Sequence, residues 1–262
     1  MSSRIREIAK QDLAQVRRHR LLWASFALVS LLMLPSLVSG RQVSEIGYNY
    51  RTYGVLLAAV LSVNAVAGER ASDRVRLLLS LPGSRRDVFV GKLTLRIAVY
   101  LVVLLGLMAL IIVALLFGSR VALVPVLSTF LWMGVYGAAW VGFAVGSSAV
   151  FDSWFRAAAT VLVTYVTFEP NLGIWDVILL PLLSFPFTGQ LGTGAVSSVG
   201  TTRTELWYQY VGRLNPINAF MYGSTADVFR PLPNLFGVLV LLAFGAIPAY
   251  IGYRRFEAAD LG

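Results

Sequence analysis

The chain has 262 residues, 57% of them hydrophobic and only 13% charged, with a formal net charge of +9 and a mean hydropathy of +0.73. A soluble domain carries about 25% charged residues, so water alone cannot solvate this surface and part of its solvent must be lipid. With no cysteine and one histidine, His19, the chain can form no disulfide, thiolate metal site or thiol nucleophile.

Residues 2–20 place Ile5, Ile8, Ala9, Leu13 and Val16 within one helical arc of about 140°, with Arg4, Lys10, Arg17 and Arg18 on other faces. This predicts an amphipathic helix in the membrane interface; the alternative is a plain basic anchor. The first span is expected over 21–39, too long and with too long a basic lead for a cleaved leader. The second is expected over 48–68 and the third over 97–117, which carries no charge. A fourth, over 121–150, is overlong for about 30 Å of hydrocarbon and predicts tilt. Gly134, Ala138, Gly142 and Gly146 form a small-residue ridge along it, expected to pack another helix closely, within the protomer or against a second copy.

The fifth span, over 157–168, is short. Glu169, Asp176, Pro181 and Pro186 interrupt its continuation through Ile174–Phe187, so a re-entrant or broken stretch is expected there. Residues 188–202 are rich in Gly, Ser and Thr, and 205–221 are aromatic, broken at Leu214-Asn215-Pro216. Trp and Tyr favour the membrane–water boundary, which places 205–221 on the outer surface. The sixth span is expected over 234–252. The fold class is therefore an all-α integral membrane bundle of six spans forming one domain, since lipid cannot satisfy open backbone groups.

Lysine and arginine set its orientation. With the N-terminus inside, segments 1–20, 69–96, 151–156 and 253–262 hold sixteen basic residues, and the outer segments, with 169–233 the longest, hold six. Both termini are thus expected in the cytoplasm, with the protein in the cell membrane. The same sorting explains the basic charge without nucleic acid, for which a charge run alone argues weakly.

The loop over 69–96 has 28 residues, long for a connection between spans. Arg70–Leu81 reads as a helix with Val75, Leu77, Leu78, Leu79 and Leu81 among arginines. Pro82-Gly83 breaks it. Ser84 then stands at an N-cap, with Asp87 three residues on as in a capping box, opening a second helix from Arg85 through Lys92 into the third span. A helical hairpin of this kind presents a basic and apolar surface to the cytoplasm, suited to docking a soluble partner or, more simply, to capping the bundle over anionic lipid.

In order and without gaps, Glu69, Arg70, Leu78, Leu79, Pro82, Ser84, Arg85, Gly91 and Lys92 resemble the cytoplasmic signature of exporter-type (type-2) ABC transporter permeases. Asp73 and Arg74 replace a usual Gly-Thr pair, and Arg76 stands where Glu is frequent. The resemblance implies a half-transporter working with a second permease copy or a related permease chain. It also implies a separate cytoplasmic ATPase subunit docked on these nine residues, with ATP bound there and no cofactor on this chain.

No phosphate-binding loop is encoded. Gly91-Lys92-Leu93-Thr94 lacks both the first glycine, Arg86 standing there, and Ser/Thr directly after the lysine. No hydrolytic or metal-binding motif is present, so the chain is expected to be a transport subunit and not an enzyme. Ionisable residues inside spans would mark an ion pathway, and they are scarce. Glu169, Asp176, Asn215 and Pro216 are the candidates for an outer gate, against the plainer reading of interfacial helix breaks. A secondary carrier and a non-transporting membrane scaffold or assembly factor are the alternative functions.

Overall fold

The structure is a computed structural model that describes residues 43–68, 84–116, 123–169, 174–189, 206–224 and 231–258, with isolated positions at 27, 30, 31 and 172. The expected interfacial helix over 2–20, nearly all of the first span and all of the expected hairpin before Ser84 lie outside these residues. The described chain is helical throughout its elements. They are α1 (Val43–Ser62), α2 (Arg85–Leu116), α3 (Leu123–Val150), α4 (Trp154–Phe168), α5 (Trp175–Thr188), α6 (Leu206–Val211), α7 (Pro216–Ser224) and α8 (Pro231–Ala258).

By length and composition, three described helices can cross a membrane: Arg85–Val113, Val126–Val150 and Pro231–Ala258. Two shorter apolar helices, Trp154–Phe168 and Trp175–Thr188, accompany them. Their outward faces are apolar. Leu101, Val102, Leu105 and Val113 on α2, and Leu235, Leu239, Leu242 and Ile251 on α8, are all exposed. Water would not tolerate such a surface, whereas lipid is its natural solvent.

The central helix is α3, which packs on α1, α2, α4, α7 and above all α8. Its seam with α8 is built of glycines. A Cβ added at Gly142 would lie 2.8 Å from the Gly245 carbonyl oxygen, and one at Gly146 would run into the Pro248 carbonyl. Gly245 and Gly252 face Ala139 and Gly146 in return. The backbones touch because no side chain stands between them. The ridge expected on the fourth span therefore packs within the protomer at Gly142 and Gly146, while Gly134 faces Leu101 and Leu104 of α2. Its counterpart, Gly237, Gly245, Ala249 and Gly252 on the buried side of α8, went unread in the sequence.

Between the long helices lies an aromatic core. Phe220 stacks on Tyr136 at 4.5 Å, and Phe244 contacts Trp140 at 4.9 Å and Phe143 at 5.0 Å. Tyr50 and Tyr100 share a hydroxyl–hydroxyl contact, and Tyr100 donates to the Met133 carbonyl (3.1 Å).

One expectation is corrected and a second is sharpened. A single span over 48–68 gives way to a helix that begins at Val43, ends at Ser62 and turns over 63–66. In the aromatic stretch expected on the outer surface, Leu206 and Leu214 are exposed but the residues after Asn215 pack inward. Ile217, Ala219 and Phe220 are fully buried, and α7 inserts against α1, α3 and α8. Aromatic, amphipathic composition suits an interface and a core equally, and the core won because Phe220 finds the face of Tyr136. The broken stretch expected after Phe168 is present as α5. Its first turn, Trp175–Leu179, is a π-helix, consistent with the missing N–H of Pro181 loosening the turn before it.

Candidate functional site

Two places combine polar chemistry with a defined position in the bundle. The first is the Arg85 end of α2. Ser84 and Asp87 form the expected capping box, in which Ser84 N and Oγ donate to Asp87 Oδ2 (3.2 and 2.8 Å) and Asp87 N donates to Ser84 Oγ (3.2 Å). The helix start is therefore fixed by its own sequence. Arg85 Nη1 donates to the carbonyls of Phe256 (3.3 Å) and Glu257 (2.9 Å). Those oxygens belong to the last turn of α8, whose carbonyls lack helical partners and carry partial negative charge. Phe89, one turn on, lies 5.8 Å from Tyr253 and 6.5 Å from Phe256. Gly91 and Lys92 are buried on this same stretch. Four of the nine docking candidates thus fall within the described residues, all at one end of α2. Glu69, Arg70, Leu78, Leu79 and Pro82 lie outside them.

The second place is a polar junction halfway along the helices. Tyr100 is the sixteenth of 32 residues in α2, Tyr136 the fourteenth of 28 in α3, and Phe244 the fourteenth of 28 in α8. At this level the Tyr136 hydroxyl donates to the Arg51 carbonyl (2.7 Å). The Arg51 guanidinium pairs with Glu169 at 3.0 Å, and both side chains are buried. Tyr165 donates to the other Glu169 oxygen (2.7 Å) and accepts from the Thr52 hydroxyl (2.9 Å).

Charge position explains the pair. In surroundings this apolar, an isolated carboxylate or guanidinium would be strongly unfavourable, so each is held by the other and by added hydrogen bonds. The short α4 brings Glu169 here. Its 15 residues rise only about 22 Å, so the chain leaves the helix inside the bundle rather than at its rim. Glu169, expected at the outer end of its span, is the C-cap of α4, and its side chain and that of Arg51 are both buried. The opposite charges stand 118 positions apart in the sequence, and the signal available was that each needed a partner.

Asn215 adjoins this junction. Its Nδ2 donates to the Phe168 carbonyl (2.7 Å), while its Oδ1 accepts from Ile217 N (2.8 Å) and Asn218 N (3.3 Å). Asn215 is therefore the N-cap of α7, and Pro216 takes the first helical position, where its lack of an N–H is harmless. Of the four gate candidates, the structure brings together Glu169, Asn215 and Pro216. Asp176 stands apart, half-buried in the π-helical turn of α5.

Sequence reasoning missed Arg213. It is buried, donates to Gln209 O (2.7 Å) and Asn234 Oδ1 (2.8 Å), and lies over the Tyr222 ring at 5.2 Å. Among the described residues, no group of three His, Cys, Asp or Glu could hold a metal ion.

The family model of the ABC-2 family transporter protein matches residues 50–261, which takes in every described helix from the middle of α1 onward. The chain belongs to the ABC-2 transporter family. It is accordingly a multi-pass membrane protein, the permease component of an ABC transporter. A search of the curated proteins finds no match. For an ABC-2 permease the two places differ in kind: the Arg85 end borders the segment that carries the family-like signature, and the Arg51–Glu169 junction is a buried polar contact halfway along the helices.

Proposed function

We propose that this chain is the membrane half of an ATP-driven exporter, in which a cytoplasmic ATPase subunit docks on the 69–96 segment and a second permease chain completes the pathway. The observation that carries the reading is the family match over residues 50–261. It is supported by the gapless run from Glu69 to Lys92 and by the fixed start of α2 at Ser84 and Arg85. Both termini then face the cytoplasm of the cell membrane, as the distribution of basic residues requires. ATP-driven closure of the ATPases moves the segment, and the spans follow as rigid bodies between two packings. The Arg51–Glu169 junction, with Asn215 beside it, lies on the path of that motion.

The test is purification of the tagged full-length chain from its native membranes. A nucleotide-hydrolysing subunit is expected in the eluate, with hydrolysis uncoupled from transport by E69K or by disruption around Pro82. Intact binding and transport after replacement of residues 70–86 would overturn the proposal. Transport that persists without ATP and collapses with an ion gradient would instead identify a secondary carrier.

A further inference from the structure

The segment between α1 and α2 departs from the described fold at one point and rejoins it at another. Both points are tied to the same pair of helices. On the departing side, the chain turns over 63–66 and resumes helical structure at Ala67–Gly68. The N–H groups of Val66 and Ala67 both donate to Ser148 Oγ, each at 3.0 Å. The first N–H groups of a helix have no acceptor of their own and are normally capped by a nearby side chain of the same segment. Here the cap comes from the last turn of α3, 82 and 81 positions away in sequence. Ser148, Val66 and Ala67 are all fully or almost fully buried, so water does not compete for the bond. On the rejoining side, Arg85 bonds the last carbonyls of α8, and Phe89 packs on Tyr253 and Phe256. The helices that receive these two attachments, α3 and α8, touch backbone to backbone at Gly142, Gly146, Gly245 and Gly252.

We propose that Ser148 is a positioning residue for energy coupling: its hydroxyl fixes the leading end of the 69–84 segment to α3 while Arg85 fixes the trailing end to α8, so the segment moves the α3–α8 pair as one body. The inference rests on the transporter reading and names the residues that carry its motion into the bundle. A single attachment would let the segment pivot. Both attachments lie on a glycine-packed pair, so a displacement at either one is passed to the same two helices. Ser148 is not one of the nine signature residues, and its role is exerted through the Val66 and Ala67 amides.

The experiment uses the full-length chain in lipid nanodiscs with the ATPase that co-purifies with it. Amide hydrogen exchange reads the clamp directly, and spin labels at F155C and Y250C, on the exposed faces of α4 and α8, read the response to ATP and magnesium. The chain has no cysteine of its own, so the labels are unambiguous. S148A is expected to speed exchange at Val66 and Ala67 at least tenfold, to retain the ATPase, and to lose most of the ATP-driven distance change. S148T, which keeps the hydroxyl, is expected to restore both readouts. Unchanged exchange in S148A would overturn the clamp, and faster exchange with an intact ATP response would overturn its role in coupling. Absence of any ATPase from the wild-type preparation would overturn the transporter reading itself, before any substitution is compared.

Discussion

The α3–α8 seam and the Arg51–Glu169 junction hold the same bundle by opposite means. The seam is made by absence: small residues let two backbones meet, and the attraction is dispersion at short range with no direction to satisfy. The junction is made by presence: two charges, two hydroxyls and a capped carbonyl, each aimed at a named partner. A glycine seam has one good arrangement and no way to exchange partners. A polar junction is directional, and each of its groups could be satisfied by another partner of the same chemistry. Close backbone packing and directed polar pairing thus stand within a few turns of each other.

That contrast can be broken most severely at the junction. E169L leaves Arg51 buried without its carboxylate, and the expected loss is about 3–5 kcal/mol. R51M/E169L, which removes both charges, is expected to regain most of it, because an apolar pair of similar volume needs no desolvation. Stability can be followed by thermal unfolding in detergent with a thiol-reactive dye and one introduced cysteine at the buried Ala157, since the chain contributes no background thiol. If the double variant is no more stable than the single one, the unpaired Arg51 charge is not what destabilises E169L.

At the seam, G146V drives a branched side chain into the Pro248 carbonyl. Overpacking of this kind is expected to lower stability by about 1–3 kcal/mol, and no substitution of the opposing helix short of backbone movement should rescue it. A rescue by shortening any side chain on α8 would show that the contact is not backbone to backbone. Smaller still is N215A, which removes the cap of α7 and its bond to Phe168, with an expected loss of about 1 kcal/mol. Its signature is local, faster hydrogen exchange at Ile217 and Asn218. The smallest effect is expected for S84A, about 0.5 kcal/mol, since this cap is solvent-exposed and lies at the low end of the range for such residues. Fraying confined to the first turn of α2 in exchange measurements would confirm it.

The sequence was most informative where one helix could be read alone. The charge-free stretches inside α2, α3 and α8 declared themselves through length and composition, and Ser84 with Asp87 announced the start of α2 three residues apart. Pro216 after Asn215 was legible as a break, although not as the first turn of a buried helix. What escaped were properties of pairs. Nothing in the run around Arg51 names Glu169, and only folding brings the two to one depth. The glycine stripe on α3 was visible, but its meaning depended on Gly245 and Gly252 arriving opposite. Residues 216–220 carry the composition of an interfacial anchor and became core because a flat aromatic face was waiting at Tyr136. Ser148 looked like any small residue at a helix end until two foreign amides were found pointing at it.

The length of α2 has a consequence of its own. Its 32 residues extend about 48 Å at 1.5 Å per residue, against about 30 Å of hydrocarbon. The surplus of about 18 Å, near twelve residues by the same rise, matches the basic opening stretch from Arg85 to Arg96. With that stretch at the membrane face, the helix would act as a gauge block, its shoulder standing above the acyl chains at a height that membrane thickness adjusts. Longer lipid tails would draw the shoulder in or straighten the helix, and shorter ones would raise or tilt it. Acyl-chain length becomes a control variable for this protein, able to alter the geometry at its Arg85 end without changing a single residue.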